Sequence, residues 1–158
     1  VFTVMIAGGL VPQRVAEALA ALLGLPADAA DVVAEGVAER DWDAAVLGTY
    51  SPLAGDVNWS LQVDFGLAVA EPPSEPETAA FLARRLRTVV VFPWTEVRPG
   101  VYWLAGPDGR HTRARVDDVE EYTDPPVYCI EAVESPVSAL PGVRVEAMPE
   151  DWTGSPGR

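Results

Sequence analysis

His111 is the only histidine in this chain and Cys129 the only cysteine. Either side chain can serve as a base or a nucleophile, but only with a partner in space that receives or orients the proton. His111 follows a turn and stands beside Arg110 and Arg113, so it reads as an exposed hairpin histidine. Cys129 lies between Tyr128 and Ile130 with Glu131 close by. A reactive thiolate needs an electropositive neighbourhood, so an inert thiol is expected. Carboxylates are more plentiful. Asp41 and Asp43 form an Asp-Trp-Asp step, and Asp117, Asp118, Glu120 and Glu121 a denser group. Paired carboxylates bind divalent cations or divide acid and base work. Neither group has the spacing of a calcium loop, with ligands at alternate positions around an obligatory glycine. Solvated acidic loops are expected, with neither a metal nor a cofactor.

Gly8-Gly9 falls between a strand and a helix, where phosphate loops occur. There is no G-x-G-x-x-G and no Gly-Lys-Ser/Thr to follow it, so a structural turn is expected. Arg84, Arg85 and Arg87 end a helix, where the helix dipole favours cations whether or not a ligand is present.

The stretch from Val116 to Glu134 is the most asymmetric in charge. It holds Asp117, Asp118, Glu120, Glu121, Asp124, Glu131 and Glu134, with Tyr122 and Tyr128 among them and no arginine. Carboxylates steer and pair, and tyrosines supply anchoring area. Asp117, Asp118, Glu120, Glu121, Tyr122, Asp124 and Tyr128 are therefore the expected contacts for a basic protein partner. Trp94, Tyr102 and Trp103 are the expected walls of a small-ligand pocket, if there is one.

Composition narrows the field. All 11 cationic residues are arginine, against 24 Asp and Glu, for a net charge of -13. Such a chain should repel nucleic acid and anionic membrane. Asn58 is the only asparagine, and Ala, Gly, Pro, Val and Arg abound. GC-rich codons specify that set, which points to a high-GC bacterial gene and makes the preference for arginine a coding bias. The apolar fraction of 49% argues against disorder over most of the length. No run approaches the roughly 18 apolar residues of a membrane span. The first ten residues read as a strand and not as a signal peptide. With one cysteine there is no internal disulfide to mark an oxidising compartment. A cytoplasmic location follows.

The elements that position these residues are legible from patterning. Phe2 to Ala7 reads as a buried strand, and a helix opens at Pro12 and ends at Gly24. Residues 26–39 read either as a short helix capped by Asp28 or as an edge strand from Asp31 to Ala34. Ala44 to Tyr50 reads as a strand. Trp59, Leu61, Val63, Phe65, Leu67 and Val69 alternate with smaller or polar residues, predicting one long strand with a buried face. Ser74 and Glu77 form a capping box for a helix to about Leu86. Val89 to Phe92, Val101 to Ala105, Thr112 to Val116, Val127 to Val133 and Val143 to Ala147 read as strands, with Pro107-Asp108-Gly109 as a hairpin turn.

This order predicts an α+β fold: a ferredoxin-like βαββαβ lobe over 1–93, then an antiparallel β extension over 94–149 packed on it. A hinge is expected at Pro93 to Pro99 and a mobile tail over 150–158. The expected function is a small acidic protein-binding module, most concretely an immunity protein or antitoxin that neutralises a basic toxin domain. The alternatives are an intracellular domain that binds a small ligand or regulates, and a carboxylate- or metal-dependent enzyme.

Overall fold

The structure, a computed structural model, describes residues 1–93, 100–120 and 123–148, the side chains of 119 and 120 excepted. The chain begins with β1 (Phe2–Ile6) and α1 (Pro12–Leu22). Pro12 occupies the first turn of α1, where its missing N–H costs nothing, and Gly24 follows the helix at φ +69°. A 3₁₀ turn over Ala27–Ala29 leads into β2 (Ala30–Ala34), so of the two readings of this segment the edge strand forms. Next come β3 (Val46–Pro52), β4 (Ala54–Gly55) and β5 (Trp59–Phe65). The Ser74 hydroxyl accepts from the Glu77 N–H and the Glu77 carboxylate accepts from the Ser74 N–H, opening α2 (Glu75–Leu86). The remaining elements are β6 (Val90–Pro93), β7 (Val101–Ala105), β8 (His111–Glu120), β9 (Val127–Val133) and β10 (Arg144–Val145).

These strands do not make a ferredoxin-like βαββαβ lobe followed by an extension. They form one ten-stranded mixed sheet in the order β10-β9-β8-β7-β6-β1-β5-β3-β2, with β4 pairing β9. The reason lies at the edges. β6 does not end the ladder, because its free side pairs β7 from Val90↔Ala105 to Pro93↔Tyr102. At the other end β2 adds in parallel to β3. β4 and β10 both run parallel to β9.

Two cores flank the sheet. On one face Val4, Ile6, Leu61, Val63 and Phe92 pack with Val15 and Leu19 of α1 and Leu82 of α2. On the other, Met5, Val57, Val91, Leu104, Val116 and Ile130 pack together. A strand covered on both faces reads as a continuous apolar run, which is why β1 lacks alternation. The second core is closed by β4. Ala54 and Gly55 pair Val127 and Tyr128, and the Asp56 carboxylate accepts from the Ile130 N–H at 2.7 Å. The β3–β5 connection is thus stitched to β9 at the far side of the sheet.

Several strand limits differ from the sequence reading, and β8 runs from His111 to Glu120 instead of from Thr112 to Val116. β5 stops at Phe65, because the Val69 N–H bonds back to the Gly66 carbonyl and closes a turn. Leu67 is consequently 105% exposed instead of buried. Leu61 and Val63 are fully buried, while Trp59 and Phe65 are half-buried at the ends. The strand read at Ala44 to Tyr50 runs from Val46 to Pro52, and that read at Val143 to Ala147 contracts to Arg144–Val145. The segment 94–99 and the tail from 149 lie outside the described residues.

Candidate functional site

The acidic stretch lies on β8 and β9, whose register pairs Asp117 with Cys129, Asp118 with Tyr128 and Glu120 with Val127. Strand alternation sends Asp117 and Asp118 to opposite faces. A register shift between Arg115 and Val116 re-phases the ladder, so that Ile130 and Val133 both reach the second core.

This ladder also brings arginines to the stretch that lacks them in sequence. Arg113 is bidentate to Glu134 through Nε and Nη2. Arg115 binds Glu131 at 3.1 Å and Glu146, and Arg144 binds Glu146 at 3.0 Å. The guanidinium of Arg113 holds the Glu134 carboxyl below the usual carboxylate range, and the pairing raises Arg113 in turn. Glu131 and Glu134 are therefore internally neutralised. Asp117, Asp118 and Asp124 are exposed, with no ion pair to an arginine among the described residues. Glu121 and Tyr122 lie outside the described residues, as does the side chain of Glu120.

Asp118 keeps company with two phenols. Burial pushes Tyr102 up, and Tyr128 and Asp118 add to the shift; burial and then Asp118 do the same for Tyr128. Both tyrosines pack against the second core. Trp103 follows Tyr102 in β7 and faces the first core, at 9% exposure. Tyr102 and Trp103 thus occupy opposite faces of the sheet and do not share a wall; Trp94 lies outside the described residues.

The two lone nucleophile candidates are both held in quiet states. The Cys129 thiol bonds the Asp56 carboxylate, which raises it, and burial and the charges of Asp56, Glu131 and Asp117 raise it further. A protonated thiol among carboxylates is a poor nucleophile. His111 is not an exposed hairpin residue. Its ring stands edge-on to Phe92 and Trp103, with centroids 5.7 and 6.4 Å away. Among the described residues Nε2 is buried without a hydrogen-bond partner. Burial lowers this imidazole from its ordinary value, and the Pro76 backbone only partly offsets that.

Gly8, at φ +85°, donates its N–H to the Asn58 side-chain oxygen at 2.6 Å, fastening the β1–α1 turn to the β3–β5 connection. Arg87 caps α2 in the left-handed conformation at φ 55°. Among the described residues no group of three or more His, Cys, Asp or Glu could hold a metal ion, and no helix is long and apolar enough to cross a membrane.

The pair that sequence reasoning misses is Arg40 and Trp42. Arg40 has a side chain only 5% exposed. It donates from Nε to Asp31 Oδ2 at 3.0 Å, from Nη1 to Thr49 Oγ1 at 2.8 Å, and from Nη2 to the carbonyls of Asp31 and Gly48. This clamps the 35–43 connection over β2 and β3. The guanidinium carbon lies 5.3 Å from the centre of the Trp42 ring, which is itself 68% exposed. The Asp-Trp-Asp step marks this place, but the informative residue is the tryptophan between the carboxylates. Compared with protein-family models, with curated proteins and with solved structures, the chain matches none.

Proposed function

We propose that this protein is a binding module for a basic protein partner, most concretely an immunity protein or antitoxin that covers the cationic surface of a toxin domain. The observation that supports it is the division of charge on β8 and β9. Arg113, Arg115 and Arg144 are committed to Glu134, Glu131 and Glu146, while Asp117, Asp118 and Asp124 face solvent. Added to a net charge of -13, exposed carboxylates with no ion pair to an arginine among the described residues steer a positive partner toward this end of the sheet. Asp118, whose charge reaches the half-buried Tyr102 and Tyr128, joins charge to aromatic area. A cytoplasmic site of action is part of the same proposal.

The test begins with capture of the partner on the tagged protein and its identification by mass spectrometry. A basic protein whose affinity falls about tenfold or more for the Asp117→Asn/Asp118→Asn/Asp124→Asn variant fits the proposal, since each rim charge contributes a few tenths to about 1 kcal/mol. A captured partner that is neutral or acidic, or one indifferent to the triple substitution, contradicts it.

A further inference from the structure

A tryptophan left 68% exposed while a nearly buried arginine is packed against its ring is an unusual use of a surface. Arg40 has no freedom to spare, since four hydrogen bonds to Asp31, Thr49 and Gly48 fix its head group. Its charge is matched by Asp31 at 3.0 Å. The result is a solvent-facing indole positioned by a rigid base and not by packing in a core. Pre-ordering removes the conformational cost that an exposed side chain ordinarily meets on binding.

The surroundings say what would sit on it. Asp41 and Asp43 flank Trp42 and are exposed, and Glu35 and Glu39 are exposed in the same connection. The Asp43 N–H bonds Asp41 Oδ1 at 3.1 Å, which fixes the Asp41 carboxylate within the step. A shallow cavity of about 270 Å³ opens next to the indole, with Val37, Thr49, Gln62 and Asp64 among its walls. An exposed indole flanked by Asp41 and Asp43 and sharing a cavity with Asp64, with Arg40 already paired to Asp31, is complementary to a guanidinium: the ring attracts the cation and the acids bind its N–H groups.

We infer that Trp42 is the anchor for an arginine side chain of the basic partner, with Asp41, Asp43 and Asp64 as its carboxylate rim. This rests on the reading above that the partner is basic, but it places a contact on the 35–43 connection, away from β8 and β9. Tryptophan and arginine are the residues most often found at the energetic centre of an interface.

The probe is a capped Gly-Arg-Gly-Arg-Gly peptide, with the same peptide carrying citrulline as its uncharged isostere. Both are titrated into the ¹⁵N-labelled full chain at low salt, reading the Trp42 indole N–H and the backbone amides. The arginine peptide should shift the Trp42 indole and the Asp41, Asp43 and Asp64 amides, and the citrulline peptide should not. Trp42→Leu, which keeps apolar area but removes the ring, should weaken arginine-peptide binding about fivefold, and Trp42→Phe by less. Both variants should melt within a few degrees of wild type, because the ring is exposed.

Equal shifts from the two peptides, or unchanged affinity in Trp42→Leu, would overturn the assignment. Shifts confined to Asp117, Asp118 and Asp124 would overturn the Trp42 anchor and leave the basic-partner reading standing. No shift at any residue with millimolar arginine peptide would count against both.

Discussion

Gly55 and Tyr128 approach so closely that a Cβ on Gly55 would stand 2.1 Å from the Tyr128 carbonyl oxygen. Gly55 also holds φ at +94°, in the region that side chains avoid. The contact is where β4 meets β9, and it shuts the second core. Gly55→Ala should therefore destabilise the fold by about 3 kcal/mol or more, from the clash and the strained backbone together. Gly36→Ala is the control, since Gly36 has φ +88° and nothing within 4 Å of the added atom. It should cost only about 1 kcal/mol. Urea melts of the two variants check this, and equal costs would mean that β4 does not close the core.

His111 should make stability depend on pH in a window of its own. Its folded value is lowered, so the unfolded chain binds the proton more readily. The stability it contributes is complete above the ordinary histidine value of about 6.5 and is lost as pH falls below it, toward the folded value. His111→Phe, which suits the neighbouring Phe92 and Trp103, should flatten the stability curve between about pH 7 and 5. Because this is the only histidine, a curve unchanged by the substitution would show that the ring is not buried neutral.

Glu134 acts lower on the pH scale. Its carboxyl is held down by Arg113, so the stability it contributes is present above the ordinary carboxylate range and is lost as pH falls through the folded value. Glu134→Gln should lower stability at neutral pH by roughly 1 kcal/mol for this half-exposed pair and reduce the acid sensitivity below about pH 4. Chemical denaturation at pH 7 and pH 3 reads both effects.

Arg40→Ala should cost more than any other arginine substitution on the sheet. It leaves the Asp31 carboxylate, the Thr49 hydroxyl and two strand carbonyls without their shared donor. Breaking one side of a largely buried pair costs roughly 3 kcal/mol or more. Arg144→Ala, whose side chain is 64% exposed, should cost less than about 0.5 kcal/mol. Thermal melts of the two variants rank them.

The sequence discloses what is local. Ser74 and Glu77 are three residues apart and cap their own helix, so the box is visible without any fold. The alternation of β5 is likewise visible, but only to Phe65. Its continuation to Val69 is an accident of composition that the turn from Gly66 to Val69 interrupts. What spacing does not disclose is partnership across a ladder. Arg113 and Arg115 stand outside the acidic stretch in sequence and lie beside it in space, because β8 pairs β9. The same limit hid the single ten-stranded sheet, which depends on the free edges of β6 and β3 accepting β7 and β2. It also hid Arg40, which reaches back nine residues to Asp31 across a turn. The carboxylates of the Asp-Trp-Asp step suggest metal chemistry, and nothing in the spacing shows that the ring between them is exposed.

If exposed carboxylates at the end of β8 and β9 steer a basic partner, the effect falls on the association rate constant. It should be measured for wild type and for Asp117→Asn/Asp118→Asn/Asp124→Asn by stopped flow, at about 20 mM and about 500 mM salt, across which screening changes strongly. We predict that wild type associates several-fold faster than the variant at low salt, that the two converge at high salt, and that dissociation rates stay similar. Equal association rates at low salt would rule out steering and leave these aspartates as a solvated surface.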